Sequence, residues 1–348
     1  MSGVVPAAGT ISLARGVPSP DLLPLAELEH CAAAAIRRDG RVALNYGGPG
    51  GYGPLREWLA ERHGVRPAQV LATPGSMLGL NMLIAELVEP GTPVGVDATT
   101  YDRALRSLRA AGARLVPPSE PARVRYVQPT FHNPSGETLG FDARVALAEA
   151  AIRDGTVLIE DEPYGLLRFE GEPLPTVSEL LRERGAGELA VYSSSFSKSV
   201  APGLRVGYLV VPETLVARLE ARILATYVSP PVLAQAQLHA FLDRGLLEPH
   251  LARVTAGLRE RRDALVEALA EHVPGATWTT PAGGYFLWAE LPVDAAALLE
   301  RARAEGVAFE PGAGFAAFGG AERAARLAFS WESPGALREG VRRLGRLV

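Results

Sequence analysis

A single cysteine, Cys31, occurs in 348 residues, so no disulfide can form within the chain, and a reducing, cytoplasmic setting is expected. Cys31 lies in an alanine-rich helical stretch and reads as a small buried filler. Apolar runs long enough to span a bilayer are lacking, and no charged-plus-apolar leader precedes the first elements, so no membrane partner is expected. Basic excess is also lacking. The net charge is −4 and no Lys/Arg run occurs, which argues against a nucleic-acid partner. The six histidines show no metal-ligand spacing, with the lone cysteine or without it, so no metal is expected. Internal repeats and low-complexity tracts are absent. What remains is 47% hydrophobic and 21% charged, ordinary for a globular enzyme. The length suffices for one large and one smaller lobe.

The most informative stretch runs from Val191 to Tyr208, VYSSSFSKSVAPGLRVGY. Leu189–Tyr192 and Val206–Val211 read as buried strands. Between them lie a turn of small hydroxyl residues with Lys198, a Pro-Gly pair and Arg205. Binding sites of α/β sheets are built at such strand ends. A lysine held between apolar strands is partly desolvated, which disfavours the ammonium form and frees a nucleophilic amine able to condense with an aldehyde. Ser195, Ser197 and Arg205 offer two hydroxyls and a planar forked cation suited to a phosphate dianion. An aldehyde and a phosphate on one small molecule describe pyridoxal 5′-phosphate. The competing reading is a surface loop with a solvated lysine.

The motif S-F-S-K-x-x-x-P-G-L-R-x-G resembles the cofactor-lysine motif of fold-type I pyridoxal-phosphate enzymes, the class I/II aminotransferases. More narrowly it resembles the branch containing 2-aminoadipate and kynurenine aminotransferases and the aminotransferase-like half of MocR-type regulators. The resemblance implies an α/β fold. Its large domain, residues 41–245, would hold a mostly parallel seven-stranded sheet sandwiched by helices. A smaller α+β domain would follow at 246–348, with residues 1–40 as an N-terminal arm and small-domain segment. It also implies that Lys198 carries the cofactor.

The remaining segments fall in the family's order. Ile11 to Pro18 reads as an extended arm passing over the substrate site, with Gly16 in it and Arg15 where the branch usually has glycine. A guanidinium there could pair with an acidic substrate side chain or serve as a structural ion pair. Gly48–Gly53 formally satisfies G-x-G-x-x-G, yet no strand precedes it and no acid follows at the ribose spacing, which excludes a dinucleotide site. It matches instead Y-G-x-x-x-G-Y-x-x-L-R, in which Tyr46 would reach the cofactor phosphate of a neighbouring subunit. Gly75-Ser76 opens an apolar helix whose free amides form an anion site. Met77 follows where the family has a polar side chain. Tyr101, after the strand Pro93–Val96, would lie against the cofactor ring. Asn133, in P-x-x-x-N-P-x-G, would donate to the cofactor's phenolate oxygen. His132 beside it reads as a pocket-shaping neighbour.

The strand Thr156–Asp161 ends in Glu160-Asp161-Glu162-Pro163-Tyr164. A carboxylate at a buried strand end is costly unless a cation meets it, and a pyridinium nitrogen would be that cation. By the D-[DE]-x-Y match, Asp161 takes this role and Tyr164 bonds the phenolate oxygen. Glu160 and Glu162 are expected on the other pleat face or at a cap. A glycosidase-like carboxylate pair would leave Lys198 unexplained. Arg326, in R-L-x-F-S, would fork onto the substrate α-carboxylate. The expected activity is amino transfer between an L-amino acid, possibly with an acidic side chain, and a 2-oxo acid, by a homodimer with shared sites. A decarboxylase, lyase, cyclase or oxidase on this fold would carry the same residues. A MocR-type sensor would need a basic winged helix before the fold, which begins by about residue ten.

Overall fold

The computed structural model describes residues 9–348. The first eight residues of the 1–40 segment lie outside the described part. From the N-terminal side the chain forms β1 (Ile11–Ser12), α1 (Leu25–Ala43), α2 (Gly53–His63), β2 (Val70–Thr73), α3 (Ser76–Leu87), β3 (Pro93–Gly95) and α4 (Asp102–Ala110). It continues through β4 (Arg114–Val116), β5 (Val124–Val127), α5 (Phe141–Asp154), β6 (Val157–Asp161), α6 (Val177–Glu183), β7 (Ala190–Ser195) and β8 (Gly207–Val210). The helices α7 (Glu213–Tyr227), α8 (Val232–Asp243) and α9 (Leu247–His272) lead to β9 (Thr277–Trp278), β10 (Phe286–Glu290) and α10 (Ala295–Ala304). Last come β11 (Val307–Ala308), β12 (Glu310–Pro311), β13 (Ala324–Ala328) and α11 (Pro334–Gly345).

Seven strands form the main sheet in the order β2-β8-β7-β6-β5-β3-β4, parallel except where β8 meets β2 and β7. The sheet is covered by helices on both faces, hence the continuous burial of β2, β7 and β8. Leu71, Tyr126, Ile159, Val191 and Leu209 pack on one face with residues of α3, α4 and α7. Val70, Tyr192, Tyr208 and Val210 pack on the other with α1, α2 and α8. A second sheet, β12-β13-β10-β9, is antiparallel and shares a core with α9, α10 and α11. The arm strand β1 pairs with β11, which ties residues 11–12 to this second core.

Two boundaries differ from the sequence expectation for physical reasons. The strand expected over Leu189–Tyr192 runs to Ser195, because pairing persists from Asp161↔Ser193 on one side to Ser195↔Gly207 on the other. Three consecutive serines are thereby buried in a sheet interior. The helix expected over Leu25–Arg38 continues to Ala43 across a kink at Asp39 (φ −128°, ψ 18°). Asp39 accepts there from the Tyr52 hydroxyl and Arg38 Nε.

Candidate active site

Pleating sorts the acids at the end of β6. Asp161 and Ser193 are register partners, while Glu160 pairs with Tyr192, so Asp161 and Glu160 face opposite sides of the sheet. Glu160 accepts from the backbone amides of Val177 and Ser178 at 2.8 and 2.7 Å, capping the first turn of α6. Asp161, only 4% exposed, takes donors from the Tyr126 hydroxyl (2.7 Å) and Gln128 Nε2 (2.9 Å), both on the same oxygen, Oδ2. Burial pushes its carboxyl up, against the pull of those donors and of Lys198. A cation delivered to Asp161 would relieve that cost.

Lys198 lies just past β7, and its Nζ donates to the Gly16 carbonyl. Burial first, then the positive charges of Arg326, Arg103 and Arg205, bring its amine down to about 8, with Asp161 opposing. Near neutral pH the free amine is therefore far more accessible than in a solvated lysine. Tyr164 and Tyr285 flank it, ring centroids 5.9 and 5.7 Å from Nζ, and the Tyr285 hydroxyl anchors the Lys198 carbonyl at 2.6 Å. Gly16 has no room for a side chain, since a Cβ would lie 2.4 Å from the Phe286 ring. That closeness sets the carbonyl against Lys198. Desolvation raises the Tyr164 phenol well above its usual range and Tyr101 to about 12, so both stay neutral donors.

The turn after β2 brings Gly75 and Ser76 to the start of α3, where the first amides have no helical acceptor. Gly75 has φ +87°, and a Cβ there would fall 2.2 Å from an Arg205 guanidinium nitrogen. Arg205 is thus seated across the helix start, donating to the Pro74 carbonyl at 3.0 Å. The Met77 side chain packs against the apolar core beside α3. The Ser195 hydroxyl accepts from the Ser197 amide at 2.9 Å and donates to the Val206 carbonyl, so it shapes the turn from within. Ser197 is buried beside it.

Arg326 on β13 joins the two sheets. It donates to Asn133 Oδ1 (3.1 Å) and to the Ala14 carbonyl (2.9 Å), with Phe286 and Phe315 against its guanidinium. Its Nε is buried without a partner, a hydrogen-bond donor held ready for an acceptor. The Arg15 guanidinium carbon lies over Trp331, 3.9 Å from the ring centroid. His132 bonds Ser135 and is kept neutral by burial, at about 4. Tyr46 is 83% exposed. No group of three or more His, Cys, Asp or Glu able to hold a metal occurs among the described residues.

Sequence reasoning passed over Tyr126 and Gln128, which hold Asp161, and Tyr285, which holds Lys198. The first pair had a signal: two polar-capable residues at i, i+2 at the end of an apolar strand. One further signal was stronger than the motif. Lys198 is the only lysine in the chain.

An anion-binding helix start at α3, a buried strand-end acid and a lysine with a depressed amine are the groups that pyridoxal phosphate would require. The family model "Aminotransferase class I and II" matches residues 10–122 and 127–344. The chain belongs to that family. It is a pyridoxal-phosphate-dependent aminotransferase. The 2-aminoadipate transaminase of Thermus thermophilus is 38% identical, over 98% of this chain and 90% of its own. The structure of LysN, an alpha-aminoadipate aminotransferase of Thermus thermophilus, complexed with N-(5′-phosphopyridoxyl)-L-leucine, superposes at a TM-score of 0.93. It is 36% identical and covers 98% of this chain and 92% of that one. The Pyrococcus horikoshii kynurenine aminotransferase superposes at 0.91 with 32% identity, covering 98% and 91%. The seven-stranded, mostly parallel sheet is the fold-type I sheet expected of this aminotransferase. Among its described residues, no helix is long and apolar enough to cross a membrane.

Proposed function

We propose that Lys198 carries the proton between the substrate Cα and the cofactor, and that Arg326 orients the substrate by its α-carboxylate. The observation supporting this most directly is the pairing of the sole lysine, its amine depressed in part by Arg326, with that arginine's buried and unpartnered Nε. Bound pyridoxal 5′-phosphate supplies an aldehyde that takes up the substrate amine and a ring that draws electrons from Cα. Asp161 would meet the ring nitrogen, and Tyr126 and Gln128 would hold its carboxylate in place. Asn133, with Oδ1 taken by Arg326, has its Nδ2 free to donate to the phenolate oxygen together with Tyr164. Tyr101 would pack on the ring. The phosphate would sit on the amides of Gly75, Ser76 and Met77 with Arg205 and the Ser197 hydroxyl. Ser195 supports that turn through its bond to the Ser197 amide. A lysine with its amine near 8 can both take and return a proton at physiological pH, which general acid–base catalysis requires.

The substrates would be an L-α-amino acid and a 2-oxo acid, with a preference for an acidic side chain. Arg15, on the arm beside Gly16, would meet that second carboxylate by leaving or sliding on the Trp331 face. The similarity to a 2-aminoadipate transaminase supports this choice. A homodimer would complete the site. Tyr46 stands exposed with Val42, Leu44, Leu224 and Val228, and the Ser229 hydroxyl accepts from the Gly47 amide, so the two loops form one projecting surface. In such a dimer Tyr46 would reach the partner's phosphate. The division into 1–40, 41–245 and 246–348 remains our reading of the chain, supported by the placement of the seven-stranded sheet within 41–245 and the second sheet within 246–348, and a cytoplasmic location is proposed from the lone thiol.

The test is a half-reaction. Holoenzyme is mixed with single amino acids and no oxo acid, and the visible cofactor band and the released oxo acid are followed together. Stoichiometric bleaching with one oxo acid per site is expected, fastest for acidic side chains. A band that persists, or carbon dioxide or ammonia in place of the oxo acid, would refute the reading.

A further inference from the structure

Behind the active site, on the opposite face of the main sheet, lies a cavity of about 440 Å³ between α2 and α6. That volume lies in the range of small-molecule sites, about 300–1,000 Å³. Its sheet wall is formed largely by side chains that alternate with those of the catalytic face. Tyr192, Ser194 and Tyr208 line it, while their neighbour Ser193 is register partner of Asp161 on the other face. Glu162 reaches into it from the end of β6, one residue past Asp161. Lys198, Asp161, Asn133 and Arg326 do not contribute to its lining, and Ser195, which shapes the cofactor turn, is the one residue shared with that site.

The cavity's chemistry is uneven. Trp58, Phe196, Tyr192, Tyr208 and the half-buried His63 make an aromatic interior. His63 is neutral, brought down to about 4 chiefly by burial, and contacts the Tyr208 hydroxyl. Glu162 is only 3% exposed, yet its Oε1 has no hydrogen-bond partner. Its twin Glu160 is satisfied by two backbone amides, so the contrast is not a property of the strand end. Burial and the neighbouring Glu160 push the Glu162 carboxyl well up, against the pull of a Thr130 hydrogen bond and of the Arg144 charge. Arg62 and Arg168 stand on the lining too, each against an aromatic ring, Trp58 and Phe131 respectively, and neither forms an ion pair among the described residues. A buried carboxyl with one oxygen unpartnered amid aromatic faces attracts an ammonium group by charge and by cation–π attraction. Two arginines without a salt bridge, Arg168 within the field of Glu162 and Glu172, can take a carboxylate.

We propose that this cavity is a second ligand site, separate from the catalytic one, for an aromatic zwitterion of amino-acid size. The ammonium sits on Glu162 and the ring against Trp58 and Tyr192. The carboxylate sits on Arg62 and Arg168. Because Glu162 and Ser194 share strand ends with Asp161 and Ser193, the occupied cavity bears on the segments that carry the cofactor acid and lysine. The Ser194 hydroxyl already donates to the Glu162 carbonyl at 2.7 Å, which links β7 to β6 at that point. The second site is independent of the roles proposed for Arg15 and Tyr46.

The probe is 4-(aminomethyl)benzoate, which has an ammonium and a carboxylate on opposite ends of one ring and no α-carboxylate for Arg326. Titration calorimetry on the holoenzyme is expected to give one site per chain at sub-millimolar affinity. Glu162→Gln and, independently, Arg168→Ala are each expected to weaken binding at least tenfold, while Arg326→Lys leaves it within twofold. Melting temperature and the visible cofactor band establish that each variant is folded and loaded, and Arg168→Ala, at a half-exposed position, keeps the test open if Glu162→Gln does not fold. Absence of heat at millimolar probe would overturn the proposal. So would binding that Arg326→Lys abolishes and the two cavity variants leave alone, which would place the probe in the catalytic site.

Discussion

Replacing Gly75 by alanine tests the phosphate cradle at its tightest point. The residue sits at φ +87°, and an added Cβ would lie 2.2 Å from one Arg205 nitrogen and 2.9 Å from Cζ. If the turn keeps its path, a left-handed alanine costs about 1–3 kcal/mol of stability. Arg205 must then also swing out, losing its bond to the Pro74 carbonyl and its place across the start of α3. A charge-assisted bond from that guanidinium to a phosphate is worth about 1.5–3 kcal/mol, so cofactor affinity should fall roughly 10- to 150-fold. The assay is titration of cofactor-free protein with pyridoxal 5′-phosphate, followed by the visible band, beside a thermal melt. Gly53→Ala is the control, because a Cβ there meets nothing within 4 Å, and its affinity should not move. An unchanged cofactor affinity in Gly75→Ala, with an unchanged melt, would show that Arg205 and the α3 start do not hold the phosphate.

Lys198 makes a second prediction, about stability in the cofactor-free protein. Its amine titrates near 8 when folded against an ordinary value near 10.5, so between those limits the unfolded chain binds the extra proton and stability rises with pH. Lys198→Met should therefore be the more stable protein at pH 7, by on the order of 1–3 kcal/mol. Its advantage should shrink through pH 8–10 in chemical denaturation, and a difference flat with pH would refute the desolvation account. The same substitution should abolish amino transfer by at least about 10²–10⁴-fold. Arg326→Lys keeps the charge but not the fork, and should raise KM for every amino acid about 10- to 100-fold, whatever the side chain. Arg15→Gly should weaken acidic substrates alone, and equal losses across a panel of side chains would remove Arg15 from substrate recognition.

Much of the site was legible because its chemistry is local. Lys198, Arg205 and the serines lie within one turn, and a lysine at the end of an apolar strand is unusual in any chain. In this one it is unique. Asp161 could be chosen among three adjacent acids only by the D-[DE]-x-Y match. The pleat explains the choice afterwards, placing Glu160 and Glu162 on the other face, where Glu160 caps α6. That α6 would begin there was not readable, because Val177 and Ser178 are brought to β6 by a connection whose path no motif encodes. The fully buried Arg144 went unnoticed for the same reason. Its guanidinium is satisfied by the carbonyls of Leu139, Pro129 and Pro175 and by the Thr130 hydroxyl, acceptors that only the folded loops gather.

Residue order along the chain thus carried the elements, the anion-binding helix start and the identity of the lysine, since each depends on neighbours within a few positions. Tertiary structure alone decided how far the lysine's amine is depressed, because that depends on Arg326, Arg103 and burial by segments far away in sequence. It alone decided that Ser195 spends its hydroxyl inside the turn, that Tyr126 and Gln128 clamp Asp161, and that Glu162 lines a cavity with one oxygen unpartnered. Periodicity and motif fix what a residue is and which way its strand points. Charge, desolvation and empty volume are sums over everything packed around it, and they exist only once the sheets have closed.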